Sequence, residues 1–409
     1  MSEKDTVRHE TPTRRDTIKY GGAVVGGGLL AGCTGNSGSG DGGATGTPSP
    51  DDNANSSSTK TGSETAYEVC LPESGCVEFD DPPETYMTNR AASTGMLVAL
   101  GEHEGFTAIW AKGQIPWEMY EEFPEVEVSV DGVPQAEFAD SAPYLDKEWF
   151  YELDSDVHIL GPKRIEGILE PDSIEEIWNN VGPFFFQFGR RPGTAEEHGF
   201  EFLGLYPIFE KVAQVFQAEE RYEQLHELST EFIDSIQSKL PKETNKPSVA
   251  VISIGDEAKM NAYIADQPGW GKRQYRTLQV KNAFADQLET GSFIETDFEA
   301  LLEADPDIIF ELSGFFNADS REEFEETVIE PLEADPVASK VTAVEDGAVF
   351  ASGNNSQGPV LSLLQTEVLA KQLHPEIFGG PRTVFDIGTV PDEPLFDRQR
   401  VADIINGDI

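Results

Sequence analysis

Basic residues in adjacent pairs are the strongest sign of chemistry in this sequence. They are Lys163-Arg164, Arg190-Arg191 and Lys272-Arg273, the last followed by Arg276. Aromatic residues stand beside two of the pairs, as Phe184–Phe188 before Arg190, and as Trp270 and Tyr275 around Lys272. Guanidinium groups bind oxyanions through paired hydrogen bonds, and aromatic rings pack against organic faces. The pattern predicts a pocket that takes a bulky anionic ligand.

Each of these residues also has an ordinary structural interpretation. Cations in an acidic chain commonly pair with neighbouring carboxylates on the surface, and Phe184–Phe188 could equally pack in the core. Trp110 and Trp117 flank a loop that follows a strand, where ligand-facing residues of parallel sheets lie, although they could simply anchor that loop. The ligand-binding candidates are Trp110, Trp117, Lys163, Arg164, Phe186, Arg190, Arg191, Trp270, Arg273, Tyr275 and Arg276.

The overall charge limits the class of protein. The chain of 409 residues has 75 Asp and Glu against 29 Lys and Arg, a net charge of −46. Such a chain repels phosphate backbones, which argues against nucleic-acid binding. The acidity is spread along the chain, as in proteins adapted to high salt, where ionic strength screens the self-repulsion. The length predicts two or three domains.

The first 33 residues have the features of an export signal. Arg14-Arg15 form a twin-arginine pair, a short apolar stretch follows, and Leu30-Ala-Gly-Cys33 forms a lipobox. The apolar stretch is shorter than the roughly 20 residues needed to cross a bilayer. We expect a twin-arginine lipoprotein signal over 1–33, lipidation of Cys33, and a lipid-anchored protein at the cell surface. A free cysteine in a disordered leader is the alternative. Residues 34–66 are polar and small, as in a flexible tether.

The two remaining cysteines predict a disulfide rather than a metal site. Cys70 and Cys76 surround a Pro/Gly turn, and no histidine or second cysteine pair lies near them in sequence. Outside the cytoplasm such a pair favours a local disulfide. Sequence motifs of hydrolases, P-loop proteins, zinc proteases and dinucleotide-binding enzymes are missing, so an enzyme is the weaker hypothesis. A structural surface protein would usually show β-repeats.

The hydrophobic pattern alternates strands and helices on both sides of one long helix. An N-terminal α/β lobe is predicted over 67–207, an amphipathic helix of about 30 residues over 208–240, and a C-terminal α/β lobe with a tail over 241–409. Helix Ser173–Asn180 is expected to begin with the capping box Ser173-Ile-Glu-Glu176. A helix followed by an acidic turn and an apolar strand occurs at 298–312 and more weakly at 146–160. This repetition predicts two lobes of similar build.

The order of these segments resembles the substrate-binding lipoproteins of ABC importers for iron–siderophore complexes, haem and cobalamin, in particular their haloarchaeal iron-transport members. The resemblance covers about residues 85–380. It rests on the lipobox, Ser93–Gly101, the 208–240 helix, Phe298–Ile309, Val344–Phe350 and Gly358-Pro359 entering the last long helix. The segments that resemble the haloarchaeal members are Asn180–Phe184 and the tail Leu395–Ile405.

The resemblance implies a fold and a function. We expect two Rossmann-like lobes with parallel sheets, joined by one long rigid α-helix, as in class III substrate-binding proteins. By this resemblance, the protein binds an Fe(III)-siderophore-type ligand in the cleft between its lobes. It is expected to be a monomer without enzymatic activity and without a covalent cofactor. Haem and cobalamin are alternative ligands, and a secreted enzyme without a recognisable motif is the alternative class. The implied partners are a permease and its ATPase. The protein is expected to dock on the permease through acidic residues, for which Glu102 and Glu104 are candidates. These two residues could instead form a solvated acidic turn.

Overall fold

The computed structural model describes residues 66–139, 142–243, 246–255, 259–287, 293–312, 320–380 and 382–409. The twin-arginine segment, Cys33 and the tether up to residue 65 lie outside the described residues. The chain divides into two compact units, Met1–Glu68 with Glu78–Asp81, and Val69–Val77 with Pro82–Ile409. The second unit contains both α/β lobes and the cleft described below. No helix within the described ranges is long and apolar enough to cross a membrane.

The first lobe is built on a small parallel sheet. The described chain begins with a two-stranded sheet of β1 (Tyr67–Leu71) and β2 (Gly75–Phe79), and the predicted disulfide joins Cys70 to Cys76. Strands β3 (Tyr86–Thr88), β4 (Phe106–Ile109) and β7 (Val157–Ile159) then pair in the order β4-β3-β7, and β5 (Glu137–Ala139) pairs antiparallel with β6 (Ala142–Tyr144). The helices are α1 (Ala91–Ala99), α2 (Lys147–Leu153), α3 (Pro162–Glu166), α4 (Pro171–Asn180) and α5 (Pro192–His198).

The predicted connecting helix of about 30 residues is wrong as a single element. The chain forms α6 (Leu205–Phe216) and α7 (Glu219–Lys239), and Gln217 between them is left-handed with φ 51°. The Gln217 N–H bonds back to the last turn of α6, which closes that helix. The apolar stripe is interrupted between Phe216 and Tyr222, which is the sequence signal for the break. The connecting element is therefore α7, 21 residues and about 31 Å long.

The second lobe has a larger mixed sheet. Its strands are β8 (Ser248–Ile254), β9 (Met260–Tyr263), β10 (Lys281–Asn282), β11 (Phe293–Thr296), β12 (Ile308–Glu311) and β13 (Val349–Ala351). Their order is β11-β9-β8-β12-β13, with β10 beside β8. Strands β10, β12 and β13 run parallel to β8. Strand β9 runs antiparallel to β8, and β11 pairs antiparallel with β9, so β11 has the direction of β8. The α/β fold class is confirmed, with the reversed strand β9 as a departure from an all-parallel sheet.

Helices surround this sheet, and two of them return to the first lobe. The helices are α8 (Arg273–Thr277), α9 (Phe298–Ala304), Arg321–Phe324, Glu330–Ala334, Thr342–Glu345, Pro359–Leu373, Pro375–Phe378 and Arg398–Asn406; a π-helical turn, Glu325–Ile329, joins the third and fourth. Pro359–Leu373 is buried along its whole length and packs on α1, α6, α7 and α8. Arg398–Asn406 packs on α7 and α1. The end of the predicted C-terminal segment therefore covers the first lobe.

The predicted repetition between the lobes appears in their hydrogen bonds. Helices α2 and α9 each have seven residues, and Asp146 and Asp297 accept the N–H of the third helical residue at 2.9 and 3.0 Å. Each helix ends at a left-handed Asp, Asp154 or Asp305, and a parallel strand follows. The predicted capping box at Ser173 is wrong, because α4 begins two residues earlier with Pro171 and has no side-chain cap.

A buried ionic network fastens the C-terminal tail. Glu367, in helix Pro359–Leu373, is fully buried, and its carboxylate lies 3.1 Å from Arg398, 3.3 Å from Lys371 and 3.7 Å from Arg382. Arg382 also pairs with Glu122 of the first lobe, and Lys371 with Asp392. Because three cations share these three carboxylates away from water, the network holds the tail against both lobes.

Candidate functional site

The carboxyl ends of the parallel strands in both lobes face one cleft. In the first lobe, Asn89-Arg90 follow β3 and Gly161 follows β7; in the second, Leu312 follows β12 and Asn355 follows β13. The cleft has a volume of about 480 Å³. This is the edge at which open α/β sheets place their ligands, and the volume is in the range of ordinary ligand pockets.

Five cations line the cleft. They are Arg90, Arg164, Arg190, Arg191 and Lys272. None of the five forms an ion pair with a carboxylate of the described residues, although the chain has more than twice as many acidic as basic side chains. The competing interpretation, that these cations are paired with surface carboxylates, does not hold for them within the described ranges. The cleft is a local concentration of positive charge in an acidic protein.

The electrostatic cost of this arrangement appears in the pKa values. Burial, with Arg90 and Arg191 nearby, lowers the pKa of Arg190 to about 10. Burial is the main cause that lowers the pKa of Lys272 to about 7. The nearby charges of Arg191 and Arg190 add to this effect, and Asp266 offsets it only in part. Burial also lowers the pKa of Arg90, and burial with Arg90 lowers that of Arg164. Charges that disfavour one another in this way are stabilised by an anion.

Neutral partners hold the cations in place. Arg190 of the first lobe donates to the side-chain oxygen of Asn355 in the second lobe. Lys272 donates to the Ile264 carbonyl at 3.0 Å and lies 4.6 Å from the Tyr263 ring centroid. The remaining hydrogen-bonding capacity of these groups is free to bind a ligand, because amide and ring partners do not neutralise their charge.

Aromatic side chains and close backbone contacts form the floor. Phe186 and Trp270, from opposite lobes, meet edge to face with centroids 5.9 Å apart. The backbone N–H of Trp270 donates to the Arg190 carbonyl at 3.0 Å. A Cβ on Gly269 would lie 2.2 Å from that carbonyl, and Gly269 has φ +129°, so only glycine permits this approach. The lobes are therefore joined directly beneath the cations.

The predicted ligand-binding residues divide into two groups. The structure brings Arg164, Phe186, Arg190, Arg191 and Trp270 together around the cleft. The others do not line it; they are Trp110, Trp117, Lys163, Arg273, Tyr275 and Arg276.

The second group has structural contacts of its own. Trp110 is buried beneath Arg164, whose guanidinium carbon is 5.6 Å from its ring, and the Trp117 indole N–H anchors its loop on the Lys112 carbonyl. The remaining cations and Tyr275 have the following partners. Lys163 pairs with Glu166, Arg273 lies 4.7 Å from the ring of Tyr206, Tyr275 is fully buried in the second lobe against Phe310, and Arg276 donates to the carbonyls of Gln267 and Gly269.

Several residues that line the cleft are missing from the predicted set, including two cations. Arg90, Lys272 and Asn355 all line the cleft. Arg90 lies just after the end of β3 and directly before α1, and Asn355 lies in the connection after β13. The rule about strand carboxyl ends therefore identifies both. Lys272 lies in one of the basic pairs, but the predicted set contains only its neighbour Arg273.

The two acidic docking candidates lie at the opposite end of α1 from the cleft. Asn89 and Arg90 precede this helix, whereas Glu102 and Glu104 follow it, which separates them by about 14 Å of helix. Glu104 is exposed and Glu102 is half-buried. Burial raises the pKa of Glu102, and Arg221 partly counters this.

Comparison with known proteins identifies the fold. Residues 186–355 match the periplasmic binding protein family model, and both ends of this match, Phe186 and Asn355, line the cleft. No curated protein matches the chain significantly.

Three solved structures share the fold at low sequence identity. A periplasmic binding protein from Veillonella parvula is 16% identical, with a TM-score of 0.53 over 76% of this chain and 98% of that one. An ABC-type Fe3+-hydroxamate transport protein from Saccharomonospora viridis is 19% identical, with a TM-score of 0.53 over 76% and 98%. The periplasmic haem-binding protein HutB of Vibrio cholerae is 13% identical, with a TM-score of 0.51 over 71% and 100%. The shared fold is that of class III periplasmic binding proteins.

Proposed function

We propose that this protein is the extracytoplasmic solute-binding component of an ABC importer, which captures an Fe(III)-siderophore-type ligand in the cleft and delivers it to a permease. The observation that carries the proposal is the set of five cleft cations without an ion-pair partner among the described carboxylates. Proteins with this fold include one described as an ABC-type Fe3+-hydroxamate transport system and one described as a periplasmic haem-binding protein. The protein binds and releases its ligand without covalent chemistry.

The charge of the cleft favours a particular class of ferric chelate. A tris-catecholate complex is trianionic, and its peripheral oxygens match guanidinium donors that lack carboxylate partners. A neutral trihydroxamate complex gains little from the same field. The rings of Phe186, Trp270 and Tyr263 provide surfaces for the organic part of the chelate. The cleft is therefore assigned to an anionic chelate, of catecholate or carboxylate type.

Both lobes contribute to capture. Arg90, Arg164 and Arg190 come from the first lobe, while Lys272 and Trp270 come from the second. A ligand that contacts both sets stabilises the closed arrangement by its differential affinity for it. Helix α7 connects the lobes, and a continuous helix of this length favours small changes of angle over a wide opening. We further propose that Cys33 carries a lipid anchor and that the protein is adapted to high salt. We also propose that it docks on the permease through Glu102 and Glu104.

A ligand panel tests the proposal. The probes are a ferric tris-catecholate, ferric citrate, a neutral ferric trihydroxamate, haem and cobalamin, titrated in molar salt with quenching of tryptophan fluorescence as the signal. Trp270 lies in the cleft floor, so binding there should quench it. The expected order has the tris-catecholate tightest and the neutral chelate weaker by about a hundredfold. Tightest binding of haem or cobalamin would reassign the ligand, and no response to any probe would contradict the proposal.

Lys272 should make binding depend on pH. Its pKa is lowered to about 7, so the free protein loses this charge as the pH rises above that value. A bound anion favours the protonated form, so binding takes up a proton and weakens by up to about tenfold per pH unit between about pH 7 and pH 9. Dissociation constants for the ferric tris-catecholate across this range measure the slope. Lys272→Met should flatten it, whereas Lys147→Met, at an exposed ion pair, should not. An unchanged slope in Lys272→Met would contradict the assignment.

A further inference from the structure

The loop closed by the Cys70–Cys76 disulfide contacts the back of the cleft wall. We call residues 70–76 the disulfide loop. Its Glu73 carboxylate accepts two backbone N–H groups from different segments of the first lobe. One oxygen accepts from Lys163 at 2.9 Å and the other from Phe188. Ser74 adds a reciprocal pair, donating to the Phe186 carbonyl at 3.0 Å and accepting the Phe186 N–H at 3.2 Å.

The two segments held by Glu73 carry most of the cleft cations. Lys163 lies in α3 directly before Arg164, which reaches the cleft over Trp110. Phe188 lies two residues before Arg190, which reaches the second lobe through Asn355. One carboxylate therefore bridges the backbones of the segments that position these guanidinium groups. Since a guanidinium moves with its backbone, this bridge sets the spacing of positive charge along the wall.

The packing leaves little freedom at the bridge. A Cβ on Gly161 would lie 2.6 Å from a Glu73 oxygen and 2.6 Å from the Phe188 nitrogen, so a side chain there would displace the carboxylate. Burial raises the pKa of Glu73 to about 7, and nearby Glu166 adds to this rise, despite the two N–H donors and Lys163. A raised pKa means that the favourable contribution to folding is present at low pH and is lost as the pH rises through about 7. Ionised Glu73 is therefore poorly explained as a device for stability.

We propose that Glu73 is a positioning residue for the ligand cleft, held by the Cys70–Cys76 disulfide, and that its carboxylate fixes the separation of Arg164 and Arg190 that an anionic ligand requires. The inference rests on the proposed function for its ligand. The acceptor geometry, two oxygens for two N–H groups, belongs to a carboxylate. A glutamine of the same shape supplies one acceptor and turns an N–H₂ toward the second donor.

The test compares Glu73→Gln with the wild type at about pH 8, where Glu73 is ionised. The probe is the ferric tris-catecholate in molar salt. The variant is expected to bind about tenfold more weakly. The midpoint of urea unfolding should not fall, because relief from the partly buried charge offsets the hydrogen bond that glutamine cannot accept. Glu176→Gln, which breaks an exposed ion pair between residues that do not line the cleft, is the matched control and should change neither quantity.

The disulfide supplies a second variant. Cys70→Ser with Cys76→Ser should weaken binding by a similar factor, and combining it with Glu73→Gln should add nothing, because both changes release the same bridge. Unchanged affinity in Glu73→Gln, a parallel loss of affinity and stability, or additive losses in the combined variant would each overturn the inference.

Hydrogen exchange separates this inference from the proposed function. If the wild type binds no chelate in the panel, the proposed function fails, but exchange at the Lys163 and Phe188 amides still reports on the bridge. Faster exchange at these two amides and across 161–164 and 186–191 in Glu73→Gln supports the positioning role. Exchange equal to that of the wild type would overturn it.

Discussion

Arg190→Gln is expected to weaken binding of the ferric tris-catecholate by about a hundredfold. Arg190 is the most constrained cleft cation, since it lies between the two lobes, donates to Asn355 and has its pKa lowered by burial to about 10. The substitution removes a charge that a bound anion would neutralise away from water. Fluorescence titration measures the loss, and its dependence on salt should also become shallower because one charge contact is gone.

Two matched variants define what this result means. Arg191→Gln removes an exposed cation from the same cleft and should cost less, because solvent screens it. Arg400→Gln breaks surface pairs with Glu227 and Glu231 and should leave binding unchanged. Equal losses in Arg190→Gln and Arg400→Gln would show that the protein responds to total charge, which would contradict a specific anion site.

Glu367→Gln is expected to destabilise the protein by about 3 to 5 kcal/mol. Glu367 is fully buried, and its carboxylate is shared by Arg398, Lys371 and Arg382. Removing one negative charge leaves these cations buried with less compensation, and salt does not screen them at that depth. Urea unfolding in molar salt measures the change. The loss should persist as salt is raised, unlike that of an exposed pair.

Glu231→Gln is the control for this prediction. Its ion pair with Arg400 is exposed and should contribute less than about 1 kcal/mol to the free energy of unfolding. The stability that the network contributes should also depend on pH. Although burial raises the pKa of Glu122, Arg382 and the Gly388 N–H lower it further, so its net pKa is below the ordinary value. Its stabilising contribution is present at neutral pH and is lost as the pH falls through the folded-state pKa. A Glu367→Gln protein as stable as the Glu231→Gln protein would contradict this account of the tail.

Local pattern was sufficient to predict most of the fold. Asp146 and Asp297 each precede a helix and a strand in the same spacing, and both act as N-caps. The break at Gln217 was not predicted, because helical apolar spacing resumes after the interruption between Phe216 and Tyr222, and periodicity over the whole segment favours one helix. The return of Arg398–Asn406 to the first lobe depends on long-range ion pairs with Glu122 and Glu367, which no local pattern contains.

The sequence predicts a cationic binding site, but it identifies only some of the residues that line it. Scarce cations beside aromatics indicated a cationic cleft, and Arg164, Arg190 and Arg191 do line one. Adjacent residues such as Lys272 and Arg273 point in different directions once α8 begins, so pairing in sequence could not say which one faces the cleft. Arg90 was missed because it is a single cation, although its position after β3 identifies it. The role inferred for Glu73 needs the contact between segments about 90 and 115 residues away in sequence.

The most direct measurement of the central claim is anomalous diffraction at the iron edge from crystals grown with the ferric tris-catecholate. The account predicts one iron peak per molecule within the cleft, with the chelate oxygens in contact with Arg190, Arg164 and Lys272 and its rings against Trp270. An iron peak outside the cleft, or a bound chelate that touches none of these cations, would contradict it.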